Sequence, residues 1–345
     1  MQEQVQKAVQ MKAIVYSNYG SPDVLRCEEI EKPTPADDEL LIKVRAASVN
    51  PYDWHFMRGM PYFLRLRAGL RKPKDKRLGV DVAGQVETVG RNVTQFKPGD
   101  EVFGLCRGAF AECARASESK LARKQENVTF EQAASVPIAG LTALQGLRRG
   151  GLGDKGQIPP GQKVLINGAA GGVGTFAVQI AKSFGADVTG ACSTRNVAMV
   201  RSIGADHVID YTQEDFTKRE QRYDLIFDCV ANHSLSAFRQ VLNPKGNYIM
   251  VGAADAGGRW MIGLLARLIK ALVLSWFVSQ KLVMIGAKAN KEDLTVLHNL
   301  MQAGKVTPVI DRRYSLNEVP EAIRYLETGH ARGKVVITLE SKNKT

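Results

Sequence analysis

The chain has 345 residues, of which 44% are hydrophobic and 24% charged, and its formal net charge is +12. This length allows two domains, and this composition is ordinary for a soluble globular protein. Five scattered cysteines without a C-x-x-C pair argue against a disulfide framework, and no Cys/His group has metal-site spacing. We therefore expect a reducing compartment and, because the N-terminus lacks a signal-peptide pattern, a cytoplasmic protein.

The first third of the chain carries short strand patterns. Between Glu39 and Ala47, apolar residues alternate with charged ones, as in a half-buried strand. Lys97–Asp100 has the composition of a turn. The predicted strands cover Met11–Tyr16, Glu39–Ala47, Gly79–Gly90, Glu101–Phe103 and Ala109–Ala116. Short strands joined by turns predict a small barrel-like domain.

From about Ala133 onward, helical and strand patterns alternate, as in a doubly wound α/β domain with a parallel sheet. We predict helices at 141–148, 173–184, 196–203 and 235–242, and strands at 163–167, 187–191, 207–210, 224–229 and 247–251. A further helix is predicted at 292–303, and a capping box at Ser315–Glu318 opens another that runs to Glu327. The last predicted strand, Lys334–Leu339, is expected to return to the first domain.

The stretch Gly161–Lys182 contains a strand, a glycine-rich turn and a helix in that order. After the turn, apolar residues recur at helical spacing over Val173–Phe184. Such a turn points backbone N–H groups and the positive end of the helix dipole at one spot, where a diphosphate fits. The pattern G-x-G-x-x-G is kept at Gly171 and Gly174, while Ala169 takes the first glycine place. We therefore predict a nucleotide site; the alternative is a purely structural strand-turn-helix.

Two other segments stand out by composition. Residues 260–286 are strongly apolar but interrupted by basic residues, which favours a buried or amphipathic helix leading into a strand over a membrane span. Residues 58–77 are basic, with only Asp75 opposing the positive charges. We expect a solvated loop-helix insertion there, and the alternative is a patch for anionic lipid, nucleic acid or an acidic substrate. No nucleic-acid motif accompanies the charge, so nucleic-acid binding is not expected.

Three motifs follow one another along most of the chain. The first is Gly79-x-Asp81-x-x-Gly84-x-Val86-x-x-Val89-Gly90, followed by Pro98-Gly99-Asp100-x-Val102. The second is the glycine-rich stretch at 161–182, and the third is the segment Gly329-His330-Ala331-Arg332-Gly333-Lys334. Together they resemble the quinone oxidoreductase/ζ-crystallin branch of the medium-chain dehydrogenase/reductase superfamily. The resemblance spans about Met11–Leu339.

The resemblance implies a two-domain α/β architecture. A GroES-like, mostly β barrel-like domain would be formed by residues 1–135 and 305–345. A Rossmann domain with a doubly wound parallel sheet would be formed by residues 136–304 and would bind NADPH.

The departures from the family pattern concern zinc. Zinc-dependent relatives carry a Cys near the start of the motif that is Asn50-Pro51-Tyr52-Asp53 here, and Gly-His-Glu where this chain has Gly79-Val80-Asp81. Without thiolate or imidazole ligands, a zinc Lewis acid cannot be held. The sequence therefore predicts a zinc-free enzyme. It would reduce an already electrophilic acceptor, such as a quinone or an activated alkene, rather than oxidise an alcohol.

The residues after the second strand of the Rossmann domain indicate the cofactor. An NAD site usually has Asp or Glu at this point to bind the ribose 2′-hydroxyl. This chain has Cys192-Ser193-Thr194-Arg195 instead. Ser193 can hydrogen-bond a 2′-phosphate and Arg195 can neutralise it, so we predict NADPH. The alternative makes Ser193 a helix cap and Arg195 a surface residue.

The resemblance also implies further site residues. Asn50 and Asp53 would lie beside the nicotinamide, and the alternatives are a turn residue and a helix cap. Tyr52, His55 and Tyr62 are candidates to stabilise or protonate the acceptor, with packing or surface roles as the alternative. The implied cofactor contacts are Thr142, Ala170, Gly171, Gly172, Val173, Gly174, Tyr211, Gly252, Gly286, Ala287, His330, Ala331, Arg332 and Lys334.

These observations predict an enzyme that transfers a hydride from NADPH to a small hydrophobic quinone or an α,β-unsaturated ketone or aldehyde. The alternative is a non-catalytic NADPH-binding regulator, or a membrane- or RNA-associated protein that uses the basic segment. Related enzymes pair their cofactor domains, so we expect a homodimer formed at the open sheet edge around 247–286. Peripheral membrane contact is considered but not favoured.

Overall fold

The computed structural model describes residues 9–152, 161–251 and 280–339. The predicted cofactor contact Gly252 and most of the apolar segment 260–285 lie outside these residues. The chain forms two compact units. The first comprises the chain up to Pro137 together with Arg312–Thr328 and the residues from Val335 onward, and the second comprises Ile138–Asp311 and Gly329–Lys334.

The unit boundaries differ in three places from the predicted domain boundaries. Residues 136–137 belong to the first compact unit, whereas the sequence assigned them to the second domain; residues 305–311 and 329–334 belong to the second unit, whereas the sequence assigned them to the first domain. The division of the protein into domains at 135/136 and 304/305 stays a prediction.

The strands are numbered in chain order. They are β1 Gln10–Val15, β2 Arg26–Glu31, β3 Glu39–Val49, β4 Asp81–Val89, β5 Glu101–Leu105, β6 Cys113–Ser117, β7 Leu121–Arg123, β8 Lys163–Asn167, β9 Asp187–Cys192, β10 His207–Asp210, β11 Tyr223–Asp228, β12 Leu242–Met250, β13 Lys281–Met284, β14 Ile310–Ser315 and β15 Lys334–Thr338. The helices are α1 Pro51–Arg58, α2 Arg65–Ala68, α3 Phe130–Ala134, α4 Pro137–Arg149, α5 Gly172–Ser183, α6 Val197–Ser202, α7 Leu235–Gln240, α8 Lys291–Gln302 and α9 Val319–Glu327.

Antiparallel sheets form the first unit. Strands β1 and β2 pair with each other, and a larger sheet has the order β14-β15-β3-β4-β5-β7, with β6 also on β3. The long strand β3 buries Leu40, Ile42 and Val44, as its apolar alternation predicts. Strand β15 pairs with β3 from Val335–Val49 to Thr338–Ala46, so the prediction that the last strand returns to the first domain is confirmed.

A six-stranded parallel sheet forms the centre of the second unit, in the order β10-β9-β8-β11-β12-β13. The chain runs outward from β8 to β9 and β10 on one side, and to β11, β12 and β13 on the other. The strand order therefore reverses between β8 and β11, and ligands of such sheets bind at the carboxyl ends of the strands at this point. The predicted doubly wound α/β fold is confirmed.

Two predicted elements are corrected. The helix predicted to reach Leu242 ends at Gln240, because Leu242 is fully buried in the sheet core and begins β12 opposite Tyr223. The strand predicted at Ala109–Ala116 begins only at Cys113. The backbone before it turns instead toward the 78–79 segment, where the Phe110 N–H donates to the Leu78 carbonyl.

No helix within residues 9–152, 161–251 and 280–339 is both long enough and apolar enough to pass through a membrane.

Candidate functional site

The glycine-rich turn connects the carboxyl end of β8 to helix α5. Gly168 adopts a left-handed backbone conformation with φ +83°, which glycine accepts without steric cost. The N–H groups of Gly168 and Ala169 donate to the Ala191 carbonyl at the end of β9. The turn is therefore fixed to the neighbouring strand, at the edge where a parallel sheet binds ligands.

Helix α5 begins without a side-chain cap. Gly171 is the N-cap residue in extended conformation, and no side chain accepts from the N–H groups of the first turn. The first intrahelical bond that reaches back to this residue is from the Thr175 N–H to the Gly171 carbonyl, at 2.9 Å. Orphan N–H groups at a helix N-terminus, together with the helix dipole, form a binding place for a phosphate group.

Gly171 and Gly174 differ in the space that a side chain would find at each position. A Cβ on Gly174 would lie 2.1 Å from the Gly168 carbonyl oxygen, so the close approach of helix and strand requires glycine there. A Cβ on Gly171 would meet only that same oxygen, at 3.5 Å. Open space beside Gly171 is what a ligand that contacts the backbone needs. Residues 170–174 therefore form a cradle with a packed side and an open side.

The segment Gly329–Lys334 lies against this cradle. The Gly333 N–H donates to the Ala170 carbonyl at 2.9 Å, and Gly333 forms a parallel bridge with Gly171. Lys334 is buried, and its Cδ would be 3.2 Å from a Cβ on Gly172. His330 and Arg332 are exposed, and Ala331 is half-buried. The structure thus brings the predicted C-terminal contacts and the glycine turn together.

Ser193, Arg195 and Tyr211 follow two neighbouring strands. Strands β9 and β10 pair in parallel up to Cys192–Asp210, and the Tyr211 N–H donates to the Cys192 carbonyl at 3.0 Å. Arg195 is exposed, and its Nη2 donates to the His330 carbonyl at 3.1 Å. Ser193 begins a short 3-10 turn but makes no capping hydrogen bond with its side chain. Its hydroxyl accepts instead from the Asn196 amide at 3.1 Å.

An acidic residue that sequence reasoning missed lies at the end of β10. Asp210 Oδ1 accepts from the Thr212 hydroxyl and N–H, at 2.7 and 3.0 Å. Hydrogen bonds from Thr194, and then from Thr212, hold the pKa of Asp210 below its usual range. Its position on the third strand of the parallel sheet is the signal that could have found it.

Thr142 lies within helix α4, and the predicted contacts Gly286 and Ala287 precede Lys288, which is hydrogen-bonded to the same helix. The Thr142 hydroxyl donates to the Ile138 carbonyl at 2.7 Å, so part of its hydrogen bonding is taken up inside the helix. Gly286 and Ala287 are exposed and follow β13. Gln145, one turn after Thr142, holds the adjoining Lys288 backbone by two hydrogen bonds, at 2.8 and 2.9 Å.

A buried polar network at the carboxyl ends of β8, β11 and β12 was also missed. Asp228 is fully buried; its Oδ1 accepts from Asn167 Nδ2 at 2.8 Å, and its Oδ2 accepts from the Tyr248 hydroxyl at 2.6 Å. The backbone N–H groups of Val230 and Ala231 also donate to Oδ1. The network fixes the ends of β8 and β11, the two strands between which the strand order reverses. Asn167 ends a predicted strand and Asp228 is the penultimate residue of another, which was the available signal.

The predicted catalytic residues Asn50 and Asp53 lie in the first unit, at the beginning of α1. Both are buried, and they form the capping box of the helix. Asp53 Oδ2 accepts from the Asn50 N–H at 2.8 Å, and Oδ1 accepts from the Gly79 N–H at 3.1 Å. The helix-cap alternative for Asp53 therefore describes what this carboxylate does locally.

Asp81 completes this buried cluster. Its Oδ2 accepts from the Ser48 hydroxyl at 2.8 Å and from Asn50 Nδ2 at 2.9 Å. The sequence marked Asp81 as a position of the family motif and as a departure from the zinc-dependent pattern, but gave it no role in the site. The structure makes it the partner that orients the Asn50 amide.

The three proton-donor candidates have different surroundings. Tyr52 is 44% exposed and stacks on Phe56, and partial burial followed by the Asp53 carboxylate raises its pKa. His55 contacts the Met60 carbonyl through Nδ1 at 2.9 Å, and burial lowers its pKa. The ring of Tyr62 is exposed and lies 4.9 Å from the Arg65 guanidinium.

The donor set of the first unit does not suit zinc. The Asn50 amide nitrogen donates to Asp81 and to the Ser48 carbonyl, and the Asp53 oxygens accept from backbone N–H groups. The thiol of Cys106, with its pKa raised by burial and then by Asp81, is held in the neutral form. Across the three described ranges, His, Cys, Asp and Glu side chains form no group of three or more that could hold a metal ion.

A doubly wound α/β unit together with an antiparallel β unit is the architecture of a class of two-part dehydrogenases and reductases. A model described as alcohol dehydrogenase GroES-like domain matches residues 36–145, and one described as zinc-binding dehydrogenase matches residues 203–337.

Individual proteins are similar to this chain over nearly its whole length. A chloroplast envelope quinone oxidoreductase homolog of Arabidopsis thaliana is 33% identical over 342 residues, covering 95% of this chain and 98% of the relative. An NADPH-dependent alkenal/one oxidoreductase from the chloroplast of the same plant is 34% identical, covering 95% of this chain and 79% of the relative. The structure of the quinone oxidoreductase from Coxiella burnetii superposes with a TM-score of 0.80 at 31% identity, covering 96% of this chain and 100% of that one.

This chain belongs to the quinone oxidoreductase branch of the medium-chain dehydrogenase/reductase superfamily. The resemblance found in the sequence is thereby confirmed.

Proposed function

We propose that this chain transfers a hydride from NADPH to a quinone or an α,β-unsaturated ketone or aldehyde, without a zinc ion. The observation that carries the proposal is the uncapped start of α5, whose cradle lies against Gly333 and within the same unit as Ser193 and Arg195. Membership in a family whose relatives are named for quinone and alkenal/one reduction supports the acceptor class.

NADPH fits the residues that are present. The open space beside Gly171 and the orphan N–H groups of the first turn of α5 suit the diphosphate. We assign the 2′-phosphate to Ser193, Arg195 and Tyr211, because these residues follow the ends of β9 and β10, no carboxylate ends β9, and the Asp210 carboxylate that ends β10 accepts from Thr212. The His330–Lys334 segment, bound to Ala170 through Gly333, would cover the same cofactor.

The bound cofactor supplies the hydride from C4 of its nicotinamide, and the protein orients it and excludes water. We assign Asn50 and Asp53 to the surroundings of the nicotinamide. Their role is positional: Asp53 fixes the start of α1, and Asp81 fixes the Asn50 amide. Tyr52 carries its proton at neutral pH, as any phenol of ordinary or raised pKa does, so its hydroxyl can donate to the acceptor oxygen as negative charge develops there.

An acceptor that is already electrophilic suits this donor set. Oxidising an alcohol needs a Lewis acid or a general base. The Asn50, Asp53 and Asp81 cluster offers neither thiolate nor imidazole ligands for a metal, and its carboxylates accept from the Asn50 backbone and side chain. A conjugated carbonyl or a quinone accepts hydride without that help.

The test is turnover. Purified protein is mixed with NADPH and a panel of quinones, enones and enals, and acceptor-dependent NADPH oxidation is measured together with bound zinc. We expect turnover with one or both acceptor classes and no stoichiometric zinc. Tight NADPH binding without turnover on any acceptor would support a non-catalytic nucleotide-binding protein instead, and stoichiometric zinc would overturn the zinc-free assignment.

Assembly and location are proposed on separate grounds. Strand β13 is an edge of the parallel sheet, and we propose that two copies pair there to form a homodimer. Light scattering of the purified protein tests this, because a monomeric mass would contradict it. The five cysteines are all free, which supports a reducing compartment; the cytoplasmic location stays the expectation from the sequence.

A further inference from the structure

A short basic segment of the first unit presents apolar side chains to solvent. Four large side chains within it are mostly exposed: Tyr62 by 64%, Phe63 by 57%, Leu66 by 72% and Leu70 by 68%. Of the large hydrophobic side chains exposed in the described ranges, these four lie within nine residues of each other along the chain. Scattered exposed leucines need no explanation, but a cluster marks an interaction surface.

Basic side chains surround this cluster. Five of them are exposed, and they are Arg67, Arg71, Lys72, Lys74 and Lys76. The single acid of the segment, Asp75, accepts from the Arg77 N–H and lies 3.6 Å from the Arg77 guanidinium. The exposed surface of residues 62–76, here named the basic-apolar shelf, is therefore strongly positive.

Contacts of Arg65 and Tyr19 stabilise the backbone of the shelf. Arg65 stacks on the rings of Tyr19 and Tyr62, at 4.5 and 4.9 Å, and its Nε donates to the Gly59 carbonyl. The Tyr19 hydroxyl donates to the Gly69 carbonyl at 2.6 Å. These contacts join the segment to Tyr19 and Gly59 and leave Tyr62 64% exposed. The exposed apolar side chains are thus presented by a built surface.

The spacing of the apolar residues makes their side chains neighbours on the surface. Tyr62 and Leu66 are four residues apart and Phe63 and Leu66 are three apart, across a 3-10 turn that continues into α2. Nucleic acids use aromatic rings for stacking but give leucine side chains no comparable partner. An anionic bilayer accepts both features, because leucine and aromatic side chains enter the headgroup–acyl boundary while lysine and arginine neutralise lipid headgroups.

We propose that the basic-apolar shelf docks this protein on the surface of an anionic lipid membrane. The contact is peripheral: Phe63, Leu66 and Leu70 enter the interface, and the five basic side chains bind anionic headgroups. The docking is independent of the hydride-transfer function, since it needs neither cofactor nor acceptor.

The experiment is cosedimentation of the full-length protein with vesicles of phosphatidylcholine alone and of phosphatidylcholine with phosphatidylglycerol. We expect binding to the anionic vesicles that weakens as salt rises, and little binding to the neutral ones. The triple variant Arg67→Gln, Arg71→Gln and Lys74→Gln should bind about a hundredfold more weakly, at roughly fivefold per charge. The double variant Phe63→Ser and Leu66→Ser should also lose about tenfold or more.

Matched controls separate the shelf from net charge and general hydrophobicity. The triple variant Lys12→Gln, Lys97→Gln and Lys120→Gln removes the same charge from other exposed positions of the first unit. Val9→Ser removes an apolar side chain that is 66% exposed elsewhere. Both should keep vesicle binding, and all variants should keep the NADPH affinity and thermal stability of the unmodified protein.

Three results would overturn the proposal. One is equal loss of binding in the shelf and control triple variants, which would mean that net charge alone acts. Another is salt-sensitive binding to single-stranded RNA, lost in the shelf variants, without vesicle binding. The last is a fall in molecular mass in the Phe63→Ser and Leu66→Ser variant without vesicle binding by the unmodified protein, which would make the shelf a contact between two copies.

Discussion

The glycine-rich turn of the second unit and the buried polar cluster of the first unit handle their polar groups in opposite ways. At the turn, a glycine cap leaves the first N–H groups of α5 without a side-chain acceptor, and the space beside Gly171 is open. In the cluster, Asp53 and Asp81 accept from the Asn50 backbone and side chain and from neighbouring groups. The turn leaves backbone donors and space open, as a phosphate-binding turn requires, whereas the polar groups of the cluster satisfy one another.

Substituting the two critical glycines of the turn should separate stability from binding. Gly174→Ala places a Cβ against a backbone oxygen and should lower the free energy of unfolding by about 2 to 3 kcal/mol. Gly171→Ala has room for its Cβ and should unfold like the unmodified protein, but bind NADPH about tenfold more weakly because the methyl group enters the ligand space. Denaturant titration and cofactor titration measure the two effects. Unchanged NADPH affinity in the Gly171 variant would contradict an open cradle.

Changing the polar cluster of the first unit should mainly lower the stability of the fold. Asp53→Asn keeps the shape but replaces an acceptor of two backbone N–H groups, and should lower the free energy of unfolding by about 2 kcal/mol. Asp37→Asn is the control, because that carboxylate is exposed and pairs only at the surface with Arg91; it should cost less than about 0.5 kcal/mol. Equal destabilisation in both variants would remove the distinction between the cluster and an ordinary surface.

Arg195 should determine the preference for NADPH over NADH. Arg195→Ala should weaken NADPH binding about tenfold and leave NADH binding nearly unchanged, since only NADPH carries the phosphate that a guanidinium can bind. Arg201→Ala, an exposed arginine on α6, should change neither. Parallel losses for both cofactors would mean that the 2′-phosphate is read elsewhere.

The smallest predicted effect concerns pH and the first unit. Burial lowers the pKa of His55, so the unfolded chain, with an ordinary value of about 6.5, binds this proton more readily than the folded one. Its contribution to stability is therefore complete above about pH 6.5 and is lost as the pH falls below that value. His55→Gln should reduce this acid-side loss by less than about 1 kcal/mol in denaturant titrations between pH 7 and 5. An unchanged pH dependence would contradict a buried, neutral imidazole.

The sequence predicted the elements with a strong pattern and missed those fixed by distant partners. Strand β8 was predicted at its observed bounds, and α5 within one residue, because buried strands and amphipathic helices have their own periodicity. Strand β2 was missed, since Arg26–Glu31 is mostly charged and exposed and is held by pairing with β1. Leu242 was given to a helix because periodicity alone does not show that a parallel strand lies beside it.

The same division applies to the candidate site. The glycine turn, Ser193 and Arg195 stand close together along the chain, so their spacing carried the prediction. The hydrogen bonds of Asp81 with Asn50, and of Asp228 with Tyr248, join residues that are far apart in the sequence. Exposure also has to come from the structure: the basic charge of 58–77 was visible in the sequence, but not that Phe63, Leu66 and Leu70 stay exposed among those charges.

The most direct test of the central claim follows the hydride itself. The protein is given NADPH deuterated at one or the other C4 position, with an acceptor from the quinone and enone panel, and the NADP⁺ formed is analysed by mass spectrometry. We predict that deuterium is lost completely from one isotopomer and retained completely in the other, because a bound nicotinamide presents one face to the acceptor. A mixture of labelled and unlabelled NADP⁺ from both isotopomers, or no acceptor-dependent oxidation, would contradict the proposed reductase.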